Sequence, residues 1–302
     1  MKPAILKRLL LLGAAACLGG RAPAQTADEI IARARAYLGG DAALAAVNSV
    51  HLIGTFNPDG ASPADPKSEK IGVEIIVQKP YQQRIVVTAS GLTETTALDG
   101  YSAWEGKREG GGAWQINVLG ADQVKRLQAN TWDNLNFFKG IEKRGGTVES
   151  LGATTVDGHP AVKLAFTHDA GIVYTHYFDP VTGRLLLTET AQGMSTREEG
   201  EIVAGGVRFP RQVTQTTRTV DDKGQPVTQI LVLNFDKVTL NETFPASDFE
   251  IPLTGPATPP PAKDLTSASG QPPTVAPGAA PAAPPPNPPA AETEKRLPKA
   301  GK

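Results

Sequence analysis

Between residues 73 and 104, apolar and polar side chains alternate with a period of two, and turn-forming residues interrupt the alternation. Val73–Gln78, Arg84–Ala89 and Thr93–Leu98 are three β-like runs. Lys79-Pro80 divides the first from the second. Gly91 and Asp99-Gly100 supply turns, since glycine adopts positive φ at little cost. Val, Ile and Thr dominate, and their branched side chains suit a pleated surface. In the first run Val73, Ile75 and Val77 share a face, with Glu74 and Gln78 opposite. In the second, Ile85 and Val87 oppose Arg84 and Thr88. The pattern predicts an antiparallel meander with one apolar face, which another element must cover or a ligand must fill.

The pattern differs before this stretch. Thr26-Ala27-Asp28-Glu29 reads as a capping box. The helix it opens carries Ile30, Ala34, Tyr37 and Leu38 on one stripe with Ile31 beside them, and Gly39-Gly40 ends it. Asp41 can cap a second short turn through Leu44 and Val47. His51–Phe56 is the first strand, and Asn57–Lys70 a loop rich in Pro, Asp, Ser and Ala. The N-terminal helix is a candidate cover for the apolar face.

After the meander, Tyr101–Gly106 and Ala113–Val118 form a predicted hairpin with Arg108–Gly112 at its tip. The period becomes helical from Ala121 to about Lys143. Val124, Leu127, Leu135 and Phe138 recur on one side, and Trp132 and Phe137 add bulk. Asn134 and Asn136 weaken this helix, which predicts a break near Asn130–Asp133. From Gly145 the strands resume: Thr147–Leu151, Ala161–Thr167, Ile172–Phe178, Arg184–Thr190, Thr196–Val203, Val207–Thr219 and Thr228–Val238. Asp157-Gly158, Asp169-Ala170-Gly171, Asp179–Gly183, Gly205-Gly206 and Asp222-Lys223-Gly224 separate them. Tight turns imply antiparallel pairing, because parallel strands need long crossovers.

Composition marks off both ends. Lys2, Lys7 and Arg8 precede the apolar run Leu9–Leu18, and Ala22-Pro23-Ala24 follows it. This is the layout of a cleaved export signal, and the apolar run is shorter than the ~20 residues of a membrane span. Cys17, the single cysteine, has two readings: a lipoprotein cysteine acylated after cleavage, or a small apolar residue lost with the signal. Ala14 stands where acylation signals usually carry Leu, and the Ala22-Pro23-Ala24 site competes downstream, so the second reading is preferred. Without Cys17 the mature chain has no thiol chemistry. Without Lys2, Lys7, Arg8 and Arg21 it has 26 basic against 31 acidic residues, and no basic stripe for nucleic acid. Fourteen of the 26 prolines fall in 256–302. That composition has little to bury and predicts a disordered tail. The expected organisation is a signal at 1–24, one domain at 25–254 and a Pro/Ala-rich tail at 255–302.

Motifs for chemistry are largely missing. The chain has no G-x-S-x-G elbow, P-loop, G-x-G-x-x-G or H-E-x-x-H. Of His51, His159, His168 and His176, the last two fall in adjacent predicted strands, but a metal site needs three or more converging ligands. They read as strand residues with one polar partner each. Glu198, Glu199 and Glu201 read as a solvated edge. Trp104, Trp114, Trp132, Phe137, Phe138, Tyr174 and Phe178 supply either a packed core or the lining of a lipid-sized cavity.

The order of several short motifs resembles the LolA/LolB-like family of periplasmic lipoprotein carriers and lipid-binding relatives. The motifs are Gly54-Thr55-Phe56, Lys79-Pro80-Tyr81-Gln82-Gln83-Arg84, Asp99-Gly100 followed by Trp104, and Asp157-Gly158-His159-Pro160-Ala161. Tyr177–Gly183, Gly206-Val207-Arg208-Phe209-Pro210 and Phe244-Pro245 to Phe249 complete the set. The resemblance spans about residues 26–252. It implies an α+β, mostly β fold: a curved antiparallel sheet of about 11–12 strands forming an unclosed half-barrel covered by helices. Acyl chains would lie between sheet and helices. Ile75, Val77, Ile85, Val87, Leu98 and Trp104 would line the cavity from the sheet, and Ile30, Ala34 and Leu38 from the lid. Lys79 stands where the family places a basic residue that helps the lid close, and Arg84 is a second candidate for that role. The implied partners are lipid or lipoprotein acyl chains and a membrane-bound donor or acceptor protein. The implied carrier is a monomer with no catalytic residues, metal or cofactor. Two other readings stay open: a non-transporting envelope scaffold whose Pro-rich tail reaches a partner, and a hydrolase or metalloenzyme built on the scattered histidines and carboxylates.

Overall fold

The computed structural model describes residues 25–58, 71–220 and 224–252. The predicted export signal and Pro-rich tail lie outside these residues. The capping box at Thr26 is present: its hydroxyl accepts from the Glu29 amide, and the Glu29 carboxylate accepts from the Thr26 amide at 2.9 Å. It opens α1 (Ala27–Leu38). A single turn, α2 (Asp41–Ala45), follows. Gly40 rather than Asp41 occupies its cap position, because the Asp41 carboxylate is turned back onto Arg35.

The meander runs through β1 (Ser49–Pro58), β2 (Ile71–Gln78), β3 (Gln82–Ala89), β4 (Leu92–Asp99), β5 (Ser102–Glu109) and β6 (Gln115–Val118). Then comes α3 (Ala121–Asn136), unbroken where a break was predicted. Asn134 and Asn136 return their side-chain amides to the carbonyls of Asn130 and Trp132, so the polar side chains fold back onto the helix. The chain turns instead at Phe137 and Phe138, which both adopt positive φ, 48° and 68°. That conformation is costly for bulky residues, and the gain is burial of both rings. Phe137 packs against β1 and β2, whereas Phe138 joins a separate cluster with Ile30, Ala34, Trp132 and Phe178. Arg35 donates to the carbonyls of Asn136 and Phe137 at the end of α3, at 3.1 and 2.8 Å, placing a cation at the helix C-terminus.

The second half comprises β7 (Thr147–Val156), β8 (His159–Asp169), β9 (Ile172–Phe178), β10 (Leu185–Thr190), β11 (Met194–Glu199), β12 (Ile202–Ala204), β13 (Val207–Phe209), β14 (Gln212–Val220) and β15 (Pro226–Leu240). Among the described residues thirteen strands form one antiparallel sheet, ordered β6-β5-β4-β3-β2-β1-β15-β14-β11-β10-β9-β8-β7, and β12–β13 is a separate hairpin. The runs expected at Thr196–Val203 and Val207–Thr219 are interrupted at Gly200-Glu201 and Pro210-Arg211, which frees that hairpin and brings the described strands to fifteen against the expected 11–12. The sheet is curved and unclosed: β6 and β7 are edges that do not meet. Bulges at Ile53/Gly54, Ser150/Gly152 and Leu185/Leu187 add local bend and twist. The two ends of the domain meet at the sheet's centre, where β1 pairs with β15. The helices and the β12–β13 hairpin lie over the concave face. Among the described residues no helix is long and apolar enough to cross a membrane.

Candidate functional site

Strand register decides which side chains enter the concave face. Val50, Leu52 and Gly54 of β1 stand opposite Val77, Ile75 and Val73 of β2, and Val73 and Ile75 stand opposite Val87 and Ile85 of β3. All of these positions therefore share one face. Leu231, Leu233 and Phe235 of β15 and Val213 of β14 continue it. Together with Leu38 of α1 and Phe137 they enclose one side of a cavity of about 390 Å³. That lies within the roughly 300–1,000 Å³ of ordinary small-molecule pockets.

The opposite wall carries most of the polar lining, beside Phe138, Leu185 and Met194. Tyr174 of β9, Thr188 and Thr190 of β10, and Thr196 and Glu198 of β11 contribute from the sheet, and Asn130, Asp133 and Asn134 from α3. Behind this wall His176 is fully buried. Its Nε2 lies 3.1 Å from Asp133 Oδ1 and its Nδ1 2.9 Å from Thr188 Oγ1. The connectivity is that of an acyl-transfer relay. Thr188, however, sits mid-strand with ladder partners on both sides, His176 and Thr196. The strand backbone is committed to those ladders and offers no pair of N–H groups for an oxyanion. The chain therefore holds the polar wall in place. Among the described residues no three or more His, Cys, Asp or Glu side chains are grouped to hold a metal.

Glu198 corrects the reading of this region as a solvated edge. Its side chain faces the cavity, with Val213 directly across the ladder. Burial, reinforced by the Asp133 charge, pushes its carboxyl up to about 7. Burial and the same Asp133 charge also hold the Tyr174 phenol above its ordinary value. A cleft of about 280 Å³ adjoins the cavity, sharing Tyr37, Leu38, Glu198, Arg208 and Phe209 among others with it and adding Arg184 and Glu201. In this cleft the Arg208 guanidinium pairs with Glu201 and lies 5.5 Å over the Tyr37 ring.

Of the nine residues expected to line a cavity, Leu38, Ile75, Val77, Ile85 and Val87 do so. Four lie elsewhere. Ile30 and Ala34 point from α1 into the packed cluster of Leu164, Phe166 and Phe178. Leu98 is on the concave face but lies under the start of α3, against Val124 and Leu119. Trp104 is on the outer face, because Leu98 pairs with Ala103 and its neighbour therefore points the other way. Its indole donates to the Phe249 carbonyl at 2.9 Å. Lys79 follows β2 and donates to the Val47 carbonyl, and burial followed by the nearby Arg35 charge lowers its pKa. Arg84 stands opposite Ile76 on the outer face, away from the helices. The sequence reading missed Asp133, Thr188 and Glu198. The signal for Glu198 was its parity with Thr196 and Met194, which places three unlike side chains on one face.

No protein-family model matches the chain, and no curated protein matches it. Among solved structures it is similar to the LolA superfamily protein NE2245 from Nitrosomonas europaea, with 14% identity over 76% of this chain and 99% of that one, at a TM-score of 0.49. The likeness is one of fold. A DUF1329 family protein from Desulfovibrio piger shares 7% identity over 74% of this chain and 96% of its own, at a TM-score of 0.45. A candidate outer membrane lipoprotein-sorting protein domain from Vibrio parahaemolyticus shares 9% over 73% and 94%, at a TM-score of 0.39.

Proposed function

We propose that this chain is a carrier or binding protein of the bacterial envelope that shelters an acyl chain of a lipid or lipoprotein between its curved sheet and helices, without covalent chemistry. The observation that carries the reading is the cavity of about 390 Å³ with one continuous apolar wall. A void of that size lined by Val, Ile, Leu and Phe forfeits packing unless something fills it. Enclosing a sixteen-carbon chain would contribute on the order of 10 kcal/mol, at ~0.8 kcal/mol per CH₂, before entropy costs. The basic and apolar leader with its Ala22-Pro23-Ala24 site supports a periplasmic location. Loading would involve a membrane-bound donor or acceptor, and the carrier would act as a monomer.

The test is native mass spectrometry of protein purified from its envelope, followed by uptake of a neutral fluorescent probe such as Nile Red after delipidation. Bound lipid and saturable uptake are expected. Val213→Trp, which fills the cavity from β14, should abolish uptake at micromolar probe while the protein still melts cooperatively. Empty spectra together with no uptake would remove the carrier reading.

A further inference from the structure

The cavity's two walls differ in kind, and the polar wall is acidic. Asp133 from α3 and Glu198 from β11 both face inward. The Asp133 carboxylate is engaged by His176. The Glu198 carboxyl has no hydrogen-bond partner among the described residues, and only its backbone carbonyl accepts from Arg184, at 3.4 Å. The cations nearby are directed elsewhere. Arg208 pairs with Glu201 and stacks over Tyr37, and Arg184 is turned to that backbone carbonyl. A head group resting on this wall therefore meets two carboxyls; Arg208, which also lines the cavity, is paired with Glu201, and Arg184 lies in the adjoining cleft.

We propose that the cavity selects amphiphiles with a positively charged amine head over those with a carboxylate or phosphate head. This rests on the carrier reading above and adds the head-group class to it. The tail would lie along the Val50, Ile75, Val87 and Leu233 side, and the ammonium would reach Glu198 and Asp133. An ammonium supplies the donor that the Glu198 carboxyl lacks, whereas an anionic head adds a third negative charge in a partly desolvated space. The groups that face Glu198 set its proton. Asp133 favours retention, and His176 and Arg184 oppose it. Arg208, paired with Glu201, and the Tyr37 and Tyr174 rings complete the surroundings. An alkylamine keeps its charge through neutral pH, like lysine. Amine binding should therefore strengthen as pH rises from 6 to 8 and Glu198 loses its proton.

The experiment compares dodecylamine, dodecanol and dodecanoate, each below its micellisation threshold, as competitors of Nile Red on the full chain at pH 6, 7 and 8. Dodecylamine should bind roughly tenfold more tightly than dodecanoate at pH 8, the scale of one charge-assisted hydrogen bond. That ratio should shrink toward pH 6. Glu198→Gln should bring it near unity, with Asp133→Asn as a second variant and circular dichroism confirming that each is folded. Equal or tighter binding of dodecanoate overturns the proposal, as does an amine preference that survives both substitutions. Dodecanol binding with no amine preference removes the head-group claim and leaves the carrier reading standing. Failure of all three compounds to displace the probe removes both.

Discussion

Two histidines give this protein opposite pH dependences. His168 is 5% exposed and sits between Trp132 and Tyr174, with ring centroids 5.2 and 5.0 Å away. Neither ring nitrogen has a partner among the described residues. Burial pushes its pKa from 6.5 down to about 4. The unfolded chain therefore takes up this proton first, and stability falls as pH drops from about 6.5 toward 4. The loss is at most on the order of 3 kcal/mol, at about 1.4 kcal/mol per pKa unit. His51 is bridged between Glu74 and Glu242, and its pKa is raised, mainly by the Glu74 hydrogen bond. Its contribution is full below the unfolded value near 6.5 and is lost as pH rises through the folded value. His168→Phe should flatten the acid limb of a urea-melt series taken from pH 4 to 8, and should stabilise by about 1 kcal/mol at pH 7 by removing an unsatisfied polar group. An unchanged acid limb would assign the effect to another group. His51→Gln should flatten the alkaline side instead. The strand addresses of His168 and His176 could be read from turn spacing. Their partners could not, because α3 docks Asp133 and Trp132 onto them from far along the chain.

Elements show the same division. The two-residue alternation in β2 and β3 placed Val73, Ile75, Val77, Ile85 and Val87 on the cavity face. It could not carry that parity past the β4–β5 turn, where the pairing of Asp99 with Ser102 turns Trp104 outward. The helical stripe of α1 likewise could not say which part meets cavity and which meets core. Its end reaches the cavity through Tyr37 and Leu38, while Ile30 and Ala34 are fully packed. The structure also bears on how freely α1 moves. A Cβ on Gly183 would lie 2.5 Å from the Arg33 carbonyl carbon, and one on Gly39 2.3 Å from the Gly206 carbonyl oxygen. The helix is thus held backbone to backbone by the β9–β10 turn at its middle and by the β12–β13 hairpin at its end. Arg33 adds a hydrogen bond to the Pro180 carbonyl. Gly183→Ala should therefore lift α1 and speed amide exchange across residues 27–38. Gly91→Ala is the matched control, since its φ of 80° resembles the 78° of Gly183 but its added Cβ meets nothing. Both variants carry the backbone cost of roughly 1 kcal/mol. Only the first should lose a further 1–3 kcal/mol from overpacking. Equal melts and equal exchange would show that α1 is not clamped at this turn.

At the scale of the whole molecule, the outer face of the sheet's N-terminal half is covered by the segment that follows β15. Asn241 accepts from the Asn48 amide at 2.7 Å. Glu242 pairs with His51, and the Phe244 ring meets the His51 ring edge-on at 5.3 Å. The Phe244 amide donates to Gln78, and Phe249 is fully buried with its carbonyl on Trp104. Cavity and strap thus lie on opposite faces of the same strands, and the two should fail separately. Ending the chain after Leu240 removes Phe244 and Phe249 and uncovers Trp104. It should cost several kcal/mol, since losing one buried phenylalanine ring alone costs about 3–5, and should shift tryptophan emission to the red. Ending it after Thr254 keeps every one of these contacts. That protein should melt like the full chain and take up Nile Red with unchanged affinity, because among the described residues the cavity lining runs from Tyr37 to Phe235. If the Thr254 truncation bound the probe poorly, the Pro-rich segment would have to complete the site. If it bound normally but lost a protein partner in pull-downs, binding of lipid and binding of partner would be assigned to separate parts of one chain.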